Sequence, residues 1–197
     1  ATVRSAINRI PWAEVVIDDG DMPTGAFDAS DAATLVPGTA ITLSAGYAGA
    51  ESVLFSGIVV KHSVRISNDN YSRLIIECRD SATKMTIGRN NANYVNQKDS
   101  DLISSLISAH GLTADVKATE VQFGELVQYY CSDWDFMLAR ADINSLLVTV
   151  AAGKVSVQPP NVSASTVLSV KWGVDLHSFQ ADIDARNQFT AAQATSL

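Results

Sequence analysis

The chain has 197 residues, 14 of them basic and 21 acidic, which gives a formal net charge of −7. Its hydrophobic fraction of 47% is typical of a globular protein and too high for a disordered chain. The acidic balance argues against a general nucleic-acid-binding protein, because such a protein needs a positive face against the phosphates. It equally argues against attachment to anionic lipid through a polybasic segment.

The first part of the chain has the pattern of antiparallel β-structure. Short apolar segments at residues 13–17 and 39–43 lie beside turn-forming residues and predict two strands. The next predicted strand has one apolar face, formed by Ile58, Val60, His62, Val64 and Ile66. After a predicted turn at residues 67–70, a partner strand has an apolar face of Leu74, Ile76 and Cys78, with Ile75 on its polar side. These alternations predict a half-buried hairpin.

The middle of the chain changes to a helical period. Apolar residues recur there at the i, i+3, i+4 spacing of an amphipathic helix, namely at Leu102, Ile103, Leu106 and Ile107. Asp99 or Ser100 is available as the N-cap, and Gly111 is a typical C-terminal stop. The pattern therefore predicts a helix that begins near residue 99 and ends before residue 111.

A second helix is predicted to begin after Ser132. The serine is a favourable N-cap, and Asp133 and Asp135 follow at the positive end of the helix dipole. The helix would carry two apolar stripes, one formed by Trp134, Met137, Leu138 and Ala141 and the other by Phe136 and Ile143. A helix that is apolar on two sides is expected to lie between other elements.

Strand patterns return after the second helix. Residues 146–150 and 154–157 predict a hairpin around a short turn at residues 151–153. Two further apolar segments, residues 167–172 and 176–183, are the last strand candidates. The predicted class is therefore mainly β with an α/β segment, that is, α+β.

The sequence has no pattern typical of a catalytic or metal-binding site. Its three histidines, His62, His110 and His177, are far apart and none has a second ligand at a productive zinc spacing. On an apolar strand face, His62 is expected to bond a backbone or hydroxyl group. At a helix end, His110 is expected near the last carbonyls. The two cysteines, Cys78 and Cys131, are expected to be packed thiols. From the absence of any such site pattern in the sequence, we expect no enzyme activity and no cofactor.

Acidic residues are concentrated in two places. Three aspartates in residues 18–21 do not match the spacing of an EF-hand loop and predict a solvated turn. Between residues 113 and 135 a single base, Lys117, accompanies five acids, which are Asp115, Glu120, Glu125, Asp133 and Asp135. This stretch of one sign is either a partner-facing patch or a plain solvated face.

One segment is more specific than any general pattern. Residues 126–148, Leu-Val-Gln-Tyr-Tyr-Cys-Ser-Asp-Trp-Asp-Phe-Met-Leu-Ala-Arg-Ala-Asp-Ile-Asn-Ser-Leu-Leu-Val, resemble the signature helix of the VgrG family of spike-hub proteins. These proteins belong to type VI secretion and related contractile injection systems and are similar to phage baseplate hubs. The signature positions here are Tyr130, Ser132, Asp133, Trp134, Asp135, Phe136, Leu138 and Arg140. Five other segments agree in order and spacing, namely residues 8–21, 55–62, 76–80, 84–89 and 97–103.

The resemblance implies three parts. Residues 1–90 would form the first hub barrel, an antiparallel β-barrel of the phage baseplate-hub type. Residues 91–160 would form an α/β segment with two amphipathic helices, and residues 161–197 the opening strands of a second barrel. Because family members continue into that barrel and a β-spike, the chain is expected to be a fragment, or the ordered part, of a longer protein. Ser145 stands where the family usually has glycine, which predicts a local difference at that helix end.

The resemblance also implies a structural function. Hub proteins of this family form homotrimers whose two barrels per subunit make a pseudo-sixfold ring, which adapts the spike to the inner tube. The implied partners are further copies of the chain, the inner-tube protein, and a spike-tip or effector cargo, with no nucleic acid and no membrane-embedded segment. The implied location is the bacterial cytoplasm during assembly and then the tip of the injection apparatus. Ile75, exposed in the predicted strand, is a candidate interface residue.

A carbohydrate-binding β-barrel module is the alternative function. Barrels bind ligands at their mouths, and Tyr47, Tyr71 and Trp172 are aromatic residues that could stack on sugars. Against this alternative, the aromatic residues are few and most lie within apolar segments. Binding to a glycan array would favour the module, whereas a trimer without a ligand would favour the hub.

Overall fold

Five antiparallel strands in the first half of the chain form one curled sheet. The computed structural model describes residues 1–67, 71–184, 190, 191, 193 and 195. In chain order the strands are β1 (Thr2–Arg4), β2 (Trp12–Asp18), β3 (Ala40–Tyr47), β4 (Ala50–Ser67) and β5 (Tyr71–Arg79). Their order in the sheet is β1-β2-β5-β4-β3, so β1 and β3 are the two edges. The sheet has the shape of a half-barrel, and the predicted class is confirmed.

The concave face of this sheet carries the first hydrophobic core. Its fully packed members are Ala13, Phe55, Val59, Leu74, Ile76 and Cys78. The apolar face predicted for residues 74–78 is therefore confirmed. The predicted turn at residues 67–70 lies, apart from residue 67, outside the described residues.

The predicted apolar face of β4 is wrong in its first half because the strand contains a β-bulge. Val59 pairs with Cys78, but the next pair is Lys61 with Glu77, so Val60 is an extra residue. One extra residue reverses the alternation of side chains, because successive residues of a strand point to opposite faces. Val60 is therefore exposed, whereas His62 lies on the core side opposite Ile76.

Ile75 lies on a central strand of the sheet. Its backbone pairs with Val16 of β2 on one side and Ser63 of β4 on the other. The side chain is half-buried on the convex face. Ile75 thus cannot supply a free strand edge to a neighbour, and only its side chain remains as a candidate contact.

Ala1–Pro160 form the first of two compact units, and the second half of this unit combines two small sheets with two helices. A 3-10 helix (Ser81–Thr86) precedes β6 (Asn90–Lys98), α1 (Asp99–Ala109), β7 (Thr113–Val116), β8 (Gln122–Cys131), α2 (Asp133–Ile143), β9 (Leu147–Ala151) and β10 (Lys154–Gln158). Strands β7, β10 and β9 form one sheet, in which β7 and β10 are parallel, and β6 pairs with β8 in a two-stranded ribbon. Buried residues from both helices and both sheets form a second hydrophobic core. The predicted hairpin around residues 151–153 is confirmed.

The two helices differ from the predictions at particular residues. Lys98, not Asp99 or Ser100, is the N-cap of α1; its own side chain makes no capping bond, and the Thr119 hydroxyl accepts a hydrogen bond from the Ser100 amide at 3.1 Å. The N-cap of α2 is Ser132 as predicted, since its Oγ accepts a hydrogen bond from the Asp135 amide at 3.1 Å. Ile143, however, is 64% exposed, so the second apolar stripe of α2 is not buried along its whole length.

Both helices end in the same Schellman motif. At the end of α1, Leu112 N–H bonds Ile107 C=O, and Gly111 has a φ of +72°. At the end of α2, the Leu146 amide bonds the Ala141 carbonyl at 2.9 Å, and Ser145 has a φ of +54°. Ser145 therefore takes the conformation that glycine takes in α1, and the predicted local difference at this helix end is absent.

Ser145→Gly is expected to raise the free energy of unfolding by about 1 kcal/mol, because glycine enters the left-handed conformation without the steric cost of a Cβ atom. The reciprocal change, Gly111→Ser, is expected to lower it by a similar amount, since a Cβ there has no neighbour within 4 Å and only the backbone conformation changes. Urea denaturation measures both variants. Equal stability of Ser145→Gly and the parent chain would contradict this account.

Residues 161–197 form a separate compact unit. Its described residues 161–184 contain no strand, only an isolated bridge between Trp172 and Leu176. The strands predicted at residues 167–172 and 176–183 are therefore wrong for this chain. A strand needs a hydrogen-bonded neighbour, and within the described part of this unit the apolar side chains of both segments stay mostly exposed.

Candidate interaction site

A buried carboxylate, Asp133, connects the start of α2 to three other elements. One of its oxygens accepts hydrogen bonds from both Asn90 Nδ2 at 2.7 Å and Gln128 Nε2 at 2.8 Å. His110 Nε2, at the end of α1, lies 2.7 Å from the other oxygen. Gln128 in turn accepts a 2.9 Å hydrogen bond from the Tyr94 hydroxyl. The side chain therefore fixes β6, β8 and α1 to the first turn of α2.

The hydrogen bonds decide the charge state of Asp133. Burial raises the pKa of this carboxyl, but the bonds from Gln128, His110 and Asn90 lower it, and the balance lies below the usual value. A carboxylate with no hydrogen of its own can only accept, so the facing His110 nitrogen donates. Asp133 is thus an ionised group that stabilises the fold at neutral pH.

A second buried carboxylate, Asp99, joins the start of α1 to the end of α2. Arg140 binds it through two hydrogen bonds, Nε at 2.6 Å and a terminal nitrogen at 3.0 Å. Asn144 Nδ2 donates a third at 2.8 Å. The Arg140 guanidinium also lies 4.8 Å from the ring centre of Phe123. Because its carboxylate is occupied in this way, Asp99 is not the N-cap that its position predicts.

A third buried carboxylate, Asp80, lies at the junction between the half-barrel and the α/β segment. One oxygen accepts from the Ala82 amide at 2.9 Å and caps the 3-10 helix. The other accepts from the Gly153 amide, in the β9–β10 turn, at 3.1 Å. Both halves of the first unit are therefore connected through one side chain.

The other signature residues of α2 are placed around this network. Trp134 is buried, and Leu138 packs against the second core. Phe136 stacks on Tyr94 with ring centres 5.9 Å apart. Tyr130, in the left-handed conformation before the helix, is exposed and faces Arg89. The segment predicted from sequence thus combines buried supports with exposed side chains.

The histidines and cysteines have structural surroundings. His62 Nδ1 lies 3.1 Å from the Leu35 carbonyl oxygen, which confirms the predicted backbone partner. His110 is the C-cap of α1, near the last carbonyls of the helix as predicted, and its imidazole contacts Asp133. Cys78 and Cys131 are free thiols, and burial raises the pKa of Cys78. Within the described residues, no group of His, Cys, Asp and Glu is arranged to hold a metal ion.

The two acidic regions are largely engaged within the fold. Asp19 accepts hydrogen bonds from the Ala29 and Ser30 amides and so holds the β2–β3 loop. In the stretch 113–135, Asp115 pairs with Lys154 at 2.7 Å, and Asp133 is buried. The stretch therefore does not form one continuous acidic surface.

A cleft with three arginines lies between the end of the half-barrel and α2. Arg4 pairs with Trp12 across β1 and β2, and Trp12 pairs with Arg79 across β2 and β5. Paired residues in antiparallel strands point to the same face, so the two arginines flank the indole. Arg9 and Trp134 also line the cleft, whose volume is about 670 Å³. No sequence motif marks this row, because strand pairing alone brings its members together.

The ribbon of β6 and β8 has an exposed face on which three apolar residues alternate with Asn93 and Glu125. Val95, Val127 and Tyr129 lie on the side away from the second core, and Tyr129 is 82% exposed. Large apolar side chains that are exposed close together are common at sites of protein–protein contact. This face is therefore a candidate contact surface.

Tyr47 and Tyr71, two of the aromatic residues considered for sugar binding, lie at different ends of the five-stranded sheet. Tyr47 lies at the tip of the β3–β4 hairpin, opposite Ala50, whereas Tyr71 pairs with Ser67 at the far end of β4. The Arg73 guanidinium covers the Tyr71 ring at 3.5 Å. Trp172 belongs to the second unit. Within the first unit, Tyr47 and Tyr71 therefore do not form a shared aromatic platform for a sugar.

Comparison with solved structures defines the class of fold. The 43 kDa tail protein of prophage MuSo2 from Shewanella oneidensis matches with a TM-score of 0.57 and 14% identity, over 79% of this chain and 47% of that one. The Escherichia coli c3393 protein, a type VI secretion component similar to the T4 tail proteins gp27 and gp5, matches with a TM-score of 0.61 and 13% identity, over 79% and 43%. A tail protein of Neisseria meningitidis matches with a TM-score of 0.58 and 14% identity, over 80% of this chain and 44% of that one.

The fold is therefore that of phage-tail and type VI secretion spike proteins, which confirms the resemblance at the level of the fold. The whole sequence, residues 1–197, matches the family described as the Alg8 N-terminal domain, and the chain belongs to that family. No curated protein sequence matches it. The chain spans less than half the length of the three tail and secretion structures. Within the described residues, no helix is long and apolar enough to span a bilayer.

Proposed function

We propose that this chain is the first part of a structural hub at the base of a spike in a contractile injection machine. In the assembled hub three copies form a pseudo-sixfold ring that joins the spike to the inner tube, and a tip protein or effector travels on the spike. The chain acts by contact and not by catalysis. It assembles in the bacterial cytoplasm and acts at the tip of the apparatus.

One observation carries the proposal. The curled five-stranded sheet and the following α/β segment superpose, over about four fifths of the chain, on proteins of phage tails and of the type VI secretion system. Such a fold performs a structural role in those machines only if its surfaces are covered by neighbours. The edge strands β1 and β3, and the face of the β6–β8 ribbon that carries Val95, Val127 and Tyr129, are surfaces available to neighbours.

Electron microscopy of the complete protein that contains these 197 residues tests the proposal. Class averages are expected to show a closed ring with six barrel-sized densities and threefold symmetry. Particles without a ring at any concentration would contradict the proposal.

Ile75→Lys is expected to reduce the fraction of rings if its side chain contacts a neighbour; unchanged rings would remove Ile75 from the interface and leave the hub itself unaffected.

A further inference from the structure

The arginine cleft has properties that a hub role does not require. Arg4, Trp12 and Arg79 form one row across three neighbouring strands, which lie about 4.8 Å apart. The Arg4 guanidinium lies 5.2 Å from the centre of the Trp12 ring. Arg9 approaches from the loop before β2, and Trp134 forms the wall on the side of α2. Two indoles and three guanidinium groups therefore share one cavity.

The positive charge of this cleft is not neutralised within the fold. Among residues 1–67 and 71–184, none of its three arginines lies within 4.0 Å of a carboxylate. Asp135 lines the cleft, but one of its oxygens accepts the Ser132 hydroxyl at 2.6 Å. Two further acids lie beside the cleft on the same convex face, Glu14 two positions from Trp12 on β2 and Glu77 two positions from Arg79 on β5. Glu77 pairs with Lys61. Within the lining itself, three arginines face a single carboxylate, Asp135, so the cleft keeps an excess of positive charge in a chain of net charge −7.

The chemistry of the cleft favours a short carboxylate ligand. A guanidinium group binds a carboxylate through two parallel hydrogen bonds, and an indole face packs against an apolar neighbour of that carboxylate. A volume of about 670 Å³ accommodates a few side chains. A long polyanion would instead have to cross acidic surface, including the aspartates at the opposite end of β2.

We propose that this cleft binds a short acidic segment of a partner protein, in which aspartate or glutamate alternates with an apolar residue. The carboxylates bridge Arg4 and Arg79 across Trp12, and an apolar side chain packs between Trp12 and Trp134. Arg9 adds a third donor from the loop. This inference is independent of ring formation, because the cleft is complete within one copy of the chain.

Tryptophan fluorescence of the 197-residue chain tests the inference, since two of its three tryptophans line the cleft. Trp172→Phe removes the signal from the second unit. An N-acetylated peptide of alternating Asp-Leu and Glu-Leu is expected to give a saturable change that weakens in about 0.5 M salt. The same peptide with Asn and Gln in place of the acids is expected to give none.

Charge-removing variants identify the site. Arg4→Gln with Arg79→Gln is expected to weaken the acidic peptide about tenfold or more, because two charge-assisted hydrogen-bonding groups are lost. Arg9→Gln alone is expected to weaken it less. Arg65→Gln, an exposed arginine on the same convex face but outside the cleft, is the matched control and is expected to leave affinity unchanged. Equal affinity of the double variant, a response to the neutral peptide, or tighter binding of oligothymidylate would each overturn the inference.

Discussion

Asp99→Ala is expected to lower the free energy of unfolding by about 3–5 kcal/mol, since it leaves a buried charge without its partner. The carboxylate is only 1% exposed and accepts hydrogen bonds from both Arg140 and Asn144. Without the carboxylate, the almost buried Arg140 guanidinium has no counter-ion, and the start of α1 is no longer bonded to the end of α2. Urea denaturation followed by circular dichroism measures the loss.

Asp101→Ala is the matched control for this prediction. Asp101 is the same residue type in the same first turn of α1, but it is exposed. Its removal is expected to cost only about 0.3–1 kcal/mol through the helix dipole. Similar losses from both variants would mean that the Arg140–Asp99 pair contributes nothing beyond helix-end electrostatics.

Asp133→Asn is expected to lower the free energy of unfolding by about 3 kcal/mol at neutral pH, because three donors then face a neutral amide. The pKa of Asp133 is lowered in the folded state, so the native chain binds this proton more weakly than the unfolded chain does. Its stabilising contribution is therefore present above the unfolded pKa of about 3.9 and is lost as the pH falls through and below that value. The difference in the free energy of unfolding between the parent chain and Asp133→Asn is therefore expected to shrink as the pH falls over the same range.

Denaturation at a series of pH values between about 6 and 3 measures this gap. Asp142→Asn, an exposed acid on the same helix, serves as the control and is expected to change stability by only a few tenths of a kcal/mol. A constant gap between Asp133→Asn and the parent chain across this range would show that the carboxylate is not the group responsible.

Sequence patterns predicted the elements of this fold well wherever the information is local. The periodicity of residues 102–107 and the capping serine before α2 both gave correct helices. What they could not predict is how distant side chains meet. The network of Asp133 has no local signal, because its partners Asn90 and His110 lie 43 and 23 residues away in sequence.

The register of the strand pairs accounts for the other differences between the sequence-based predictions and the structure. A bulge at Val60 is a single extra residue that no local pattern marks, and it moves half of a predicted apolar face to the opposite side of β4. The row of Arg4, Trp12 and Arg79 depends in the same way on which residues of three strands pair. The arginine cleft is thus a product of tertiary pairing, and composition alone predicts the opposite charge.

The mass of the complete protein in solution, measured by light scattering beside that of the 197-residue chain, tests the hub account most directly. The account predicts a trimer for the complete protein at every concentration at which its ring persists. Because the prediction concerns the complete protein, the 197-residue chain can be a trimer or a monomer without contradicting it. A complete protein that stays monomeric would contradict the ring and, with it, the proposed function.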